Sequence, residues 1–422
     1  MNFRNDCLGS ARVRVLAMAP SPSRTFFHHE REQKEEEVLM IYLDYNATTP
    51  LCDAAREAML PYLNRHFGNP SSIHAAGRAA RAAIDDARDK LAALLHAKPG
   101  EIIFTGGATE SCNLGVLGLA RCASSRGGHI ISNKAEHHAV LNAVEHLENR
   151  EGFEVTWLNV SKTGMLDLDQ LANSIRPETK LVSIMTANNE TGVIQPMREI
   201  SQICRDRGVL LHSDVVQAFG KLDIDVSLVD AGSFAAHKFY GPKGTGFLFL
   251  RSGLPIEPIM FGGAHENQRR PGTENVAGVA GMAAAAEWVL HDADAERQRQ
   301  AQLRDDFWTR IEKVFADTQQ NGDPAHRLAN TLNVSFIGVD SETMLMALDL
   351  EGVCASSGSA CMVGSVRASH VLLAMGLPME SARSAIRFSL GRRTTAEEIA
   401  NAADALERIA KRTKEAREYA LA

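Results

Sequence analysis

Residues 233–250 read SFAAHKFYGPKGTGFLFL. An apolar run ends in His237-Lys238, breaks at Gly241-Pro242-Lys243-Gly244, and resumes as a strand over 245–250. A lysine at the end of a strand, beside glycines that let a ligand come close, is suited to carry a carbonyl compound on its amine. Most lysines are solvated surface groups, and it is the surroundings that set Lys238 apart. Upstream, a strand over 209–212 delivers Asp214 within His212-Ser213-Asp214-Val215-Val216-Gln217. An aspartate paired with a later strand-end lysine is what a pyridoxal phosphate site needs. The carboxylate keeps the ring nitrogen protonated so that the ring withdraws electrons, and the lysine holds the aldehyde.

Outward from this stretch, strands read at 101–105, 129–132, 154–160 and 180–186 alternate with helical segments. That alternation predicts an α/β fold with a mainly parallel sheet flanked by helices. Polar residues gather at the strand ends, where open parallel sheets carry their sites. Gly106-Gly107-Ala108-Thr109-Glu110 lies between a strand and a helix, so free backbone N–H groups and the Thr109 hydroxyl make an anion cradle. Ala135-Glu136-His137-His138 follows the next strand and Asn188-Asn189-Glu190-Thr191-Gly192 a later one. Ser71 or Ser72 is positioned to cap the helix that runs to about residue 97.

The chain has 422 residues, enough for two closely packed domains, and 45% hydrophobic with 23% charged residues suits a globular protein. A net charge of -7 leaves no basic surplus for phosphate backbones, which argues against a nucleic-acid binder. Seven cysteines, an odd number without metal-type spacing, point to free thiols in a reducing compartment, the cytoplasm, and to no metal site. No apolar run approaches the roughly 20 residues of a membrane span. Residues 1–39 differ from the rest: arginines 4, 12, 14 and 24 precede a charged run. This stretch reads as a disordered extension or a start placed upstream of Met40, with an organelle-targeting peptide the alternative. It is set apart from the fold.

Beyond the lysine stretch, a glycine- and charge-rich loop over 262–275 either stays disordered or serves a site, and a long helix over 281–316 links the domains. Strands at 331–336 and near Cys354 belong to a smaller C-terminal domain. Ser356-Ser357-Gly358-Ser359-Ala360-Cys361-Met362-Val363-Gly364-Ser365 is too rich in serine and glycine to hold one conformation, so Cys361 is expected on an exposed, mobile loop. Cys354, on a strand, is expected to be buried and inert. Arg387 sits on the apolar strand Ile386-Arg387-Phe388-Ser389-Leu390, and a buried arginine needs a partner; an amino-acid carboxylate is a good one.

Together, HSDVVQA and AAHKFYGPKGTG closely resemble the cysteine desulfurases of the nitrogen-fixation and iron–sulfur-cluster type, pyridoxal phosphate enzymes of the class V aminotransferase group. The resemblance runs from Ile41, through the opening IYLDYNATTP, to about Thr395. It implies a fold type I transferase: a mainly parallel seven-stranded sheet in a large domain over 56–299, and a smaller α+β domain built from 40–55 and 300–422. It implies conversion of L-cysteine to L-alanine, with sulfur held as a persulfide on Cys361 for an acceptor such as an iron–sulfur scaffold. Lys238 carries the cofactor, and His137 lies over the ring and moves protons. Ala108, Thr109, Asp214, Val216, Gln217 and His237 hold the cofactor, while Asn46, Asn189 and Arg387 meet the substrate, Asn189 also touching the ring. Thr273 matches a residue that binds the phosphate in the neighbouring subunit, which implies a homodimer.

Three departures from the family pattern stand out. Ala235 replaces a serine hydroxyl that binds phosphate, Val366-Arg367-Ala368-Ser369 stands where Glu-Pro-Ser is usual, and Ala264-His265-Glu266-Asn267 replaces a richer glycine and glutamine run. An aminotransferase, a selenocysteine lyase and a catalytically idle partner subunit are the alternatives. A plain aminotransferase has no use for SSGSAC, and retention of Lys238, Asp214 and Cys361 weighs against idleness.

Overall fold

The computed structural model describes residues 40–123, 127–358 and 368–421; Cys361 and residues 1–39 lie outside these ranges. β1 (Ile41–Tyr42) leads through a polar turn to α1 (Asp53–Asn64) and α2 (Ala75–Leu94). An alternating series follows: β2 (Ile102–Thr105), α3 (Ala108–Ala123), β3 (Gly128–Asn133), α4 (His138–Glu151) and β4 (Phe153–Leu158). It continues through α5 (Leu168–Ser174), β5 (Thr179–Ser183), α6 (Met197–Asp206) and β6 (Leu210–Asp214). β7 (Ala231–Ala235) and β8 (Gly246–Leu250) come next, then α7 (Val276–Leu290) and α8 (Ala293–Val314). The last part holds β9 (Thr318–Asn321), β10 (Thr331–Phe336), α9 (Ser341–Leu350) and β11 (Val353–Cys354). α10 (His370–Ala374), α11 (Met379–Arg383), β12 (Ala385–Ser389) and α12 (Ala396–Leu421) complete it.

Seven strands form one sheet in the order β2-β8-β7-β6-β5-β3-β4. The pairings are parallel except at β8, which runs against both neighbours. The reason is local. Residues 236–245, a short 3-10 turn followed by a loop, separate β7 from β8, and without a crossover helix the chain returns beside itself antiparallel. That turn carries Lys238. Strands β2, β7 and β8 are buried along their whole length, as a sheet covered on both faces requires.

A second, antiparallel sheet of order β12-β10-β9 has its own apolar cluster, with Phe307, Ile311, Leu332, Phe336, Phe388 and Leu406 buried between it and the helices α8 and α12. The turn after β1 docks onto the Lys238 segment: the Thr49 N–H donates to the His237 carbonyl at 2.9 Å, and the Tyr240 N–H to the Thr49 hydroxyl at 2.7 Å. The first described residues of the chain thus become a wall of the site.

Several local expectations change. The helix expected over 281–316 is two helices, α7 and α8, because Asp292 adopts a left-handed backbone with φ 54°. α2 is capped by His74, whose Nδ1 accepts from the Gly77 N–H at 3.3 Å, and by neither serine. The 262–275 loop is pinned at Glu266, which is buried and accepts from Arg88 Nη2 at 2.6 Å and from the Phe104 N–H at 3.2 Å. Cys354 is half-buried, not buried. The five described cysteines are free, and no described helix is long and apolar enough to cross a membrane.

Candidate active site

A cleft of about 970 Å³ opens at the C-terminal ends of the parallel strands, where ligands bind in sheets of this kind. Its walls include His137, Asn189, Asp214, Lys238 and Arg387, which are far apart in sequence.

At the end of β2 the chain turns through Gly106-Gly107. Gly107 has φ +144°, a backbone that side chains resist, and a Cβ on Gly246 of β8 would come within 2.8 Å of its Cα. The turn therefore lies flat on β8 and launches α3 toward the cleft. The Ser111 N–H donates to the Gly107 carbonyl at 3.1 Å, so the N–H groups of Ala108, Thr109 and Glu110 have no acceptor within the helix. The Glu110 carboxylate at the mouth is offset by Arg270, whose Nε donates to it at 2.7 Å.

His212 and Asp214, two apart on β6, share one face of the sheet, and α3 receives them with Gly115 and Cys112, three apart on one helical face. A Cβ on Gly115 would sit 2.6 Å from the His212 ring. Cys112 Sγ lies 3.7 Å from Asp214 Oδ2. His212 is structural: its nitrogens lie 2.8 Å from the Ser183 hydroxyl and 2.9 Å from the Ser233 hydroxyl, and burial lowers its pKa to about 3. Asp214 accepts from the Val216 N–H at 2.9 Å; burial pushes its carboxyl up, while that N–H and the Lys238 charge pull it down. Next to it Glu136 is fully buried and pushed up to about 8, chiefly by burial, with the Asp214 charge adding. It is therefore mostly neutral at neutral pH.

His137 caps α4, its Nδ1 accepting from the Ala139 N–H at 3.1 Å, which leaves the ring proton on Nε2. Burial, then the Lys238 charge, lowers His137 to about 4 from an ordinary 6.5. Histidine-selective NMR should show this ring neutral at pH 6 with a midpoint near 4; a midpoint above 6 would contradict the burial argument. The sign for stability follows. The folded pKa lies below the unfolded one, so this contribution is complete above about 6.5 and is lost as pH falls toward 4. His137→Gln should make acid denaturation in that window shallower. His138 turns away onto His370, with ring centroids 4.4 Å apart. His237, lowered to about 4 by burial, lies 3.2 Å from the Thr48 hydroxyl.

Lys238 Nζ donates to the carbonyls of Asn46 at 2.7 Å and Ala47 at 2.8 Å. Asn46 lines the cleft, but its amide is engaged by the protein. Its Nδ2 donates to the Thr331 hydroxyl at 2.9 Å, and its Oδ1 accepts from Asn330 at 3.0 Å and Lys221 at 3.1 Å. Arg387 finds a partner that its strand did not announce. Its Nη2 donates to Asp44 at 2.7 Å and its Nη1 to the Asn189 carbonyl at 3.0 Å. Its Nε, and the Oδ1 of Asn189, are buried without a partner among the described residues. Val216 and Gln217 line the cleft, as do Ala108 and Thr109. Thr273 is exposed on the 262–275 loop and does not line it; Cys361 lies outside the described residues. Asp44, Glu136, Lys221 and Arg270 were not singled out in the sequence for these roles. Only the spacing of Lys221, four residues after Gln217, offered a signal.

A sequence profile of the family described as Aminotransferase class-V matches residues 41–401. The cysteine desulfurase IscS of Dictyoglomus turgidum is 48% identical over 371 residues, 87% of this chain and 94% of its own length. That of Methanosarcina thermophila is 44% identical, covering 88% and 92% respectively. Among solved structures, a NifS-like protein superposes with a TM-score of 0.82 at 35% identity, covering 88% of this chain and 99% of that one. Another, described as SspA in complex with cysteine, gives 0.73 at 35% identity, covering 83% and 98%.

Proposed function

The chain belongs to the aminotransferase class-V family, and from that premise we propose a cysteine desulfurase that uses pyridoxal phosphate to release L-alanine from L-cysteine. The observation that carries this reading is the meeting of Lys238 and Asp214 in one cleft with the open N-terminus of α3.

The residues present fit the cofactor. Of the buried polar atoms without partners among the described residues, Asn189 Oδ1 and Arg387 Nε belong to residues that line the cleft, as the reception of a polar ligand there requires. The N–H groups opening α3, at Ala108 and Thr109, and the Thr109 hydroxyl suit a phosphate. Asp214 suits a protonated ring nitrogen, Val216 and His137 the ring faces, and Gln217 and His237 its polar edge. Lys238 is the attachment point. When bound, the cofactor supplies an electron sink that stabilises negative charge at the substrate α-carbon. Lys238, as a neutral amine, removes the α-proton. His137, neutral with its proton on Nε2, donates or retains a proton at that atom. Arg387 and Asn189 orient the substrate carboxylate. Cys361, as thiolate, attacks the substrate sulfur. An S–S bond forms, the C–S bond breaks, and its electron pair stays with the carbon, which is protonated to give alanine.

Thr273, exposed and away from its own cleft, serves the partner subunit's phosphate in a homodimer. The large lobe spans 56–299, and the small one 40–55 with 300–422. The persulfide passes to an acceptor protein such as an iron–sulfur scaffold, and the reducing cytoplasm keeps Cys361 a thiol. Purified protein should be yellow, dimeric by size, and release alanine and sulfide from cysteine with a reductant. Coloured protein that yields no alanine, but moves amino groups to a keto acid, would make it an aminotransferase instead.

The loss of a hydroxyl at Ala235 has a testable cost. Ala235 pairs with Gly246, which abuts the Gly107 turn. Ser233 does not compensate, since its hydroxyl is 2.9 Å from His212 Nε2. Ala235→Ser adds a donor to a charged phosphate, worth about 1.5 kcal/mol, so the apo-protein should bind pyridoxal phosphate about tenfold more tightly. Unchanged or weaker affinity in a titration rejects the idea.

A further inference from the structure

Lys221 lies four residues after Gln217, where the chain coils back after β6, and its Leu222 neighbour donates to the Ala218 carbonyl at 2.8 Å. Its Nζ donates to Gln217 Oε1 at 2.7 Å and to Asn46 Oδ1 at 3.1 Å. Both amides are buried, and both residues line the cleft. An ammonium offers donors only. If the Gln217 amide turned over, its NH2 would face that ammonium, and two buried groups would lose their partners. Lys221 therefore decides which end of Gln217 is where. With Oε1 held, Nε2 spends one N–H on the Asn46 carbonyl at 3.0 Å and keeps the other.

We propose that Lys221 is a positioning residue that fixes the polarity of Gln217, so that the cleft meets an N–H donor there and favours the anionic form of an acceptor oxygen on the bound cofactor ring. The inference rests on the pyridoxal phosphate reading. Lys221 borders a small cavity of about 20 Å³ behind the cleft, and Lys238 belongs to the walls of both. The other titratable groups facing that cavity are Tyr45, Tyr240, Glu296, Arg297 and Arg392. Burial, then the charges of Lys238 and Arg387, lowers Lys221 to about 7, so its hold on the two amide oxygens is strongest below that pH.

The test uses the holoenzyme and reads the pH midpoint of the bound cofactor's visible absorbance, together with the pyridoxal phosphate dissociation constant. A donor to an oxyanion lowers the pKa of its conjugate acid, so removing it moves the midpoint up. Lys221→Met should raise it by about one unit, a tenfold change in proton affinity. Lys221→Arg, which keeps the donors, should stay near the unmodified value. In a double-mutant cycle, Lys221→Met added to Gln217→Leu should cause no further shift, because the lysine acts through the glutamine. An unmoved midpoint in Lys221→Met, or two shifts that add in full, overturns the proposal. If Lys221→Met does not fold, Gln217→Glu accepts from Lys221 but offers the cleft no N–H. Its midpoint should also rise, and an unmoved one overturns the proposal equally. Unmodified protein that takes up no pyridoxal phosphate would instead bring down the cofactor reading, and this inference with it.

Discussion

Cys361→Ala is expected to abolish alanine formation from cysteine, by about three orders of magnitude or more, while pyridoxal phosphate still binds and cysteine still changes its absorbance. The described cysteines are poor rivals. Cys52, Cys112 and Cys204 are buried, and burial pushes Cys112 well above the ordinary thiol range and Cys204 to about 12. Cys354 on β11 is pushed up by burial, and the Asp349 and Asp44 charges add to that. Cys122, exposed at the end of α3, is raised as well. None is poised to be a thiolate near neutral pH, and the thiolate is the nucleophile. Cys361 lies outside the described residues, but Gly358, three positions before it, lines the cleft. Mass spectrometry after brief exposure to cysteine should map the persulfide to Cys361. A persulfide on Cys354, with Cys361→Ala fully active, would end this assignment.

Lys238→Ala should lose the visible absorbance of the bound cofactor and, with it, alanine formation, again by about three orders of magnitude. The case is geometric. Lys238 follows β7 by one turn, lines the cleft with Asp214 at the end of the adjacent strand, and is held at its amine by the Asn46 and Ala47 carbonyls. Two other lysines stand near. Lys243 also lines the cleft, and Lys221 sits behind it with its amine committed to Gln217 and Asn46. Retention of the band in Lys238→Ala would move the attachment to one of these, and the spectra of Lys243→Ala and Lys221→Met would say which.

The α/β class, the mainly parallel sheet and the strand-end positions of Asp214 and Lys238 were legible in the chain itself, because each follows from local information. Strand periodicity, glycine turns and the residue after a strand are decided within a few positions. Similarity of whole motifs added the expected roles of His137, Asn189 and Arg387. The tertiary structure decided what depends on distance and burial. Arg387 meets Asp44, 343 residues away, and Lys221 reaches Asn46 across 175 residues. No local pattern announces such pairs. The break at Asp292, with its left-handed backbone, and the cap on α2 from His74 Nδ1 are conformations that propensity alone does not reveal. The charge states belong to the same class. Glu136 near 8 and His137 near 4 are ordinary side chains in the sequence, and the removal of water around them, with the Asp214 and Lys238 charges adding, separates them from any other glutamate and histidine.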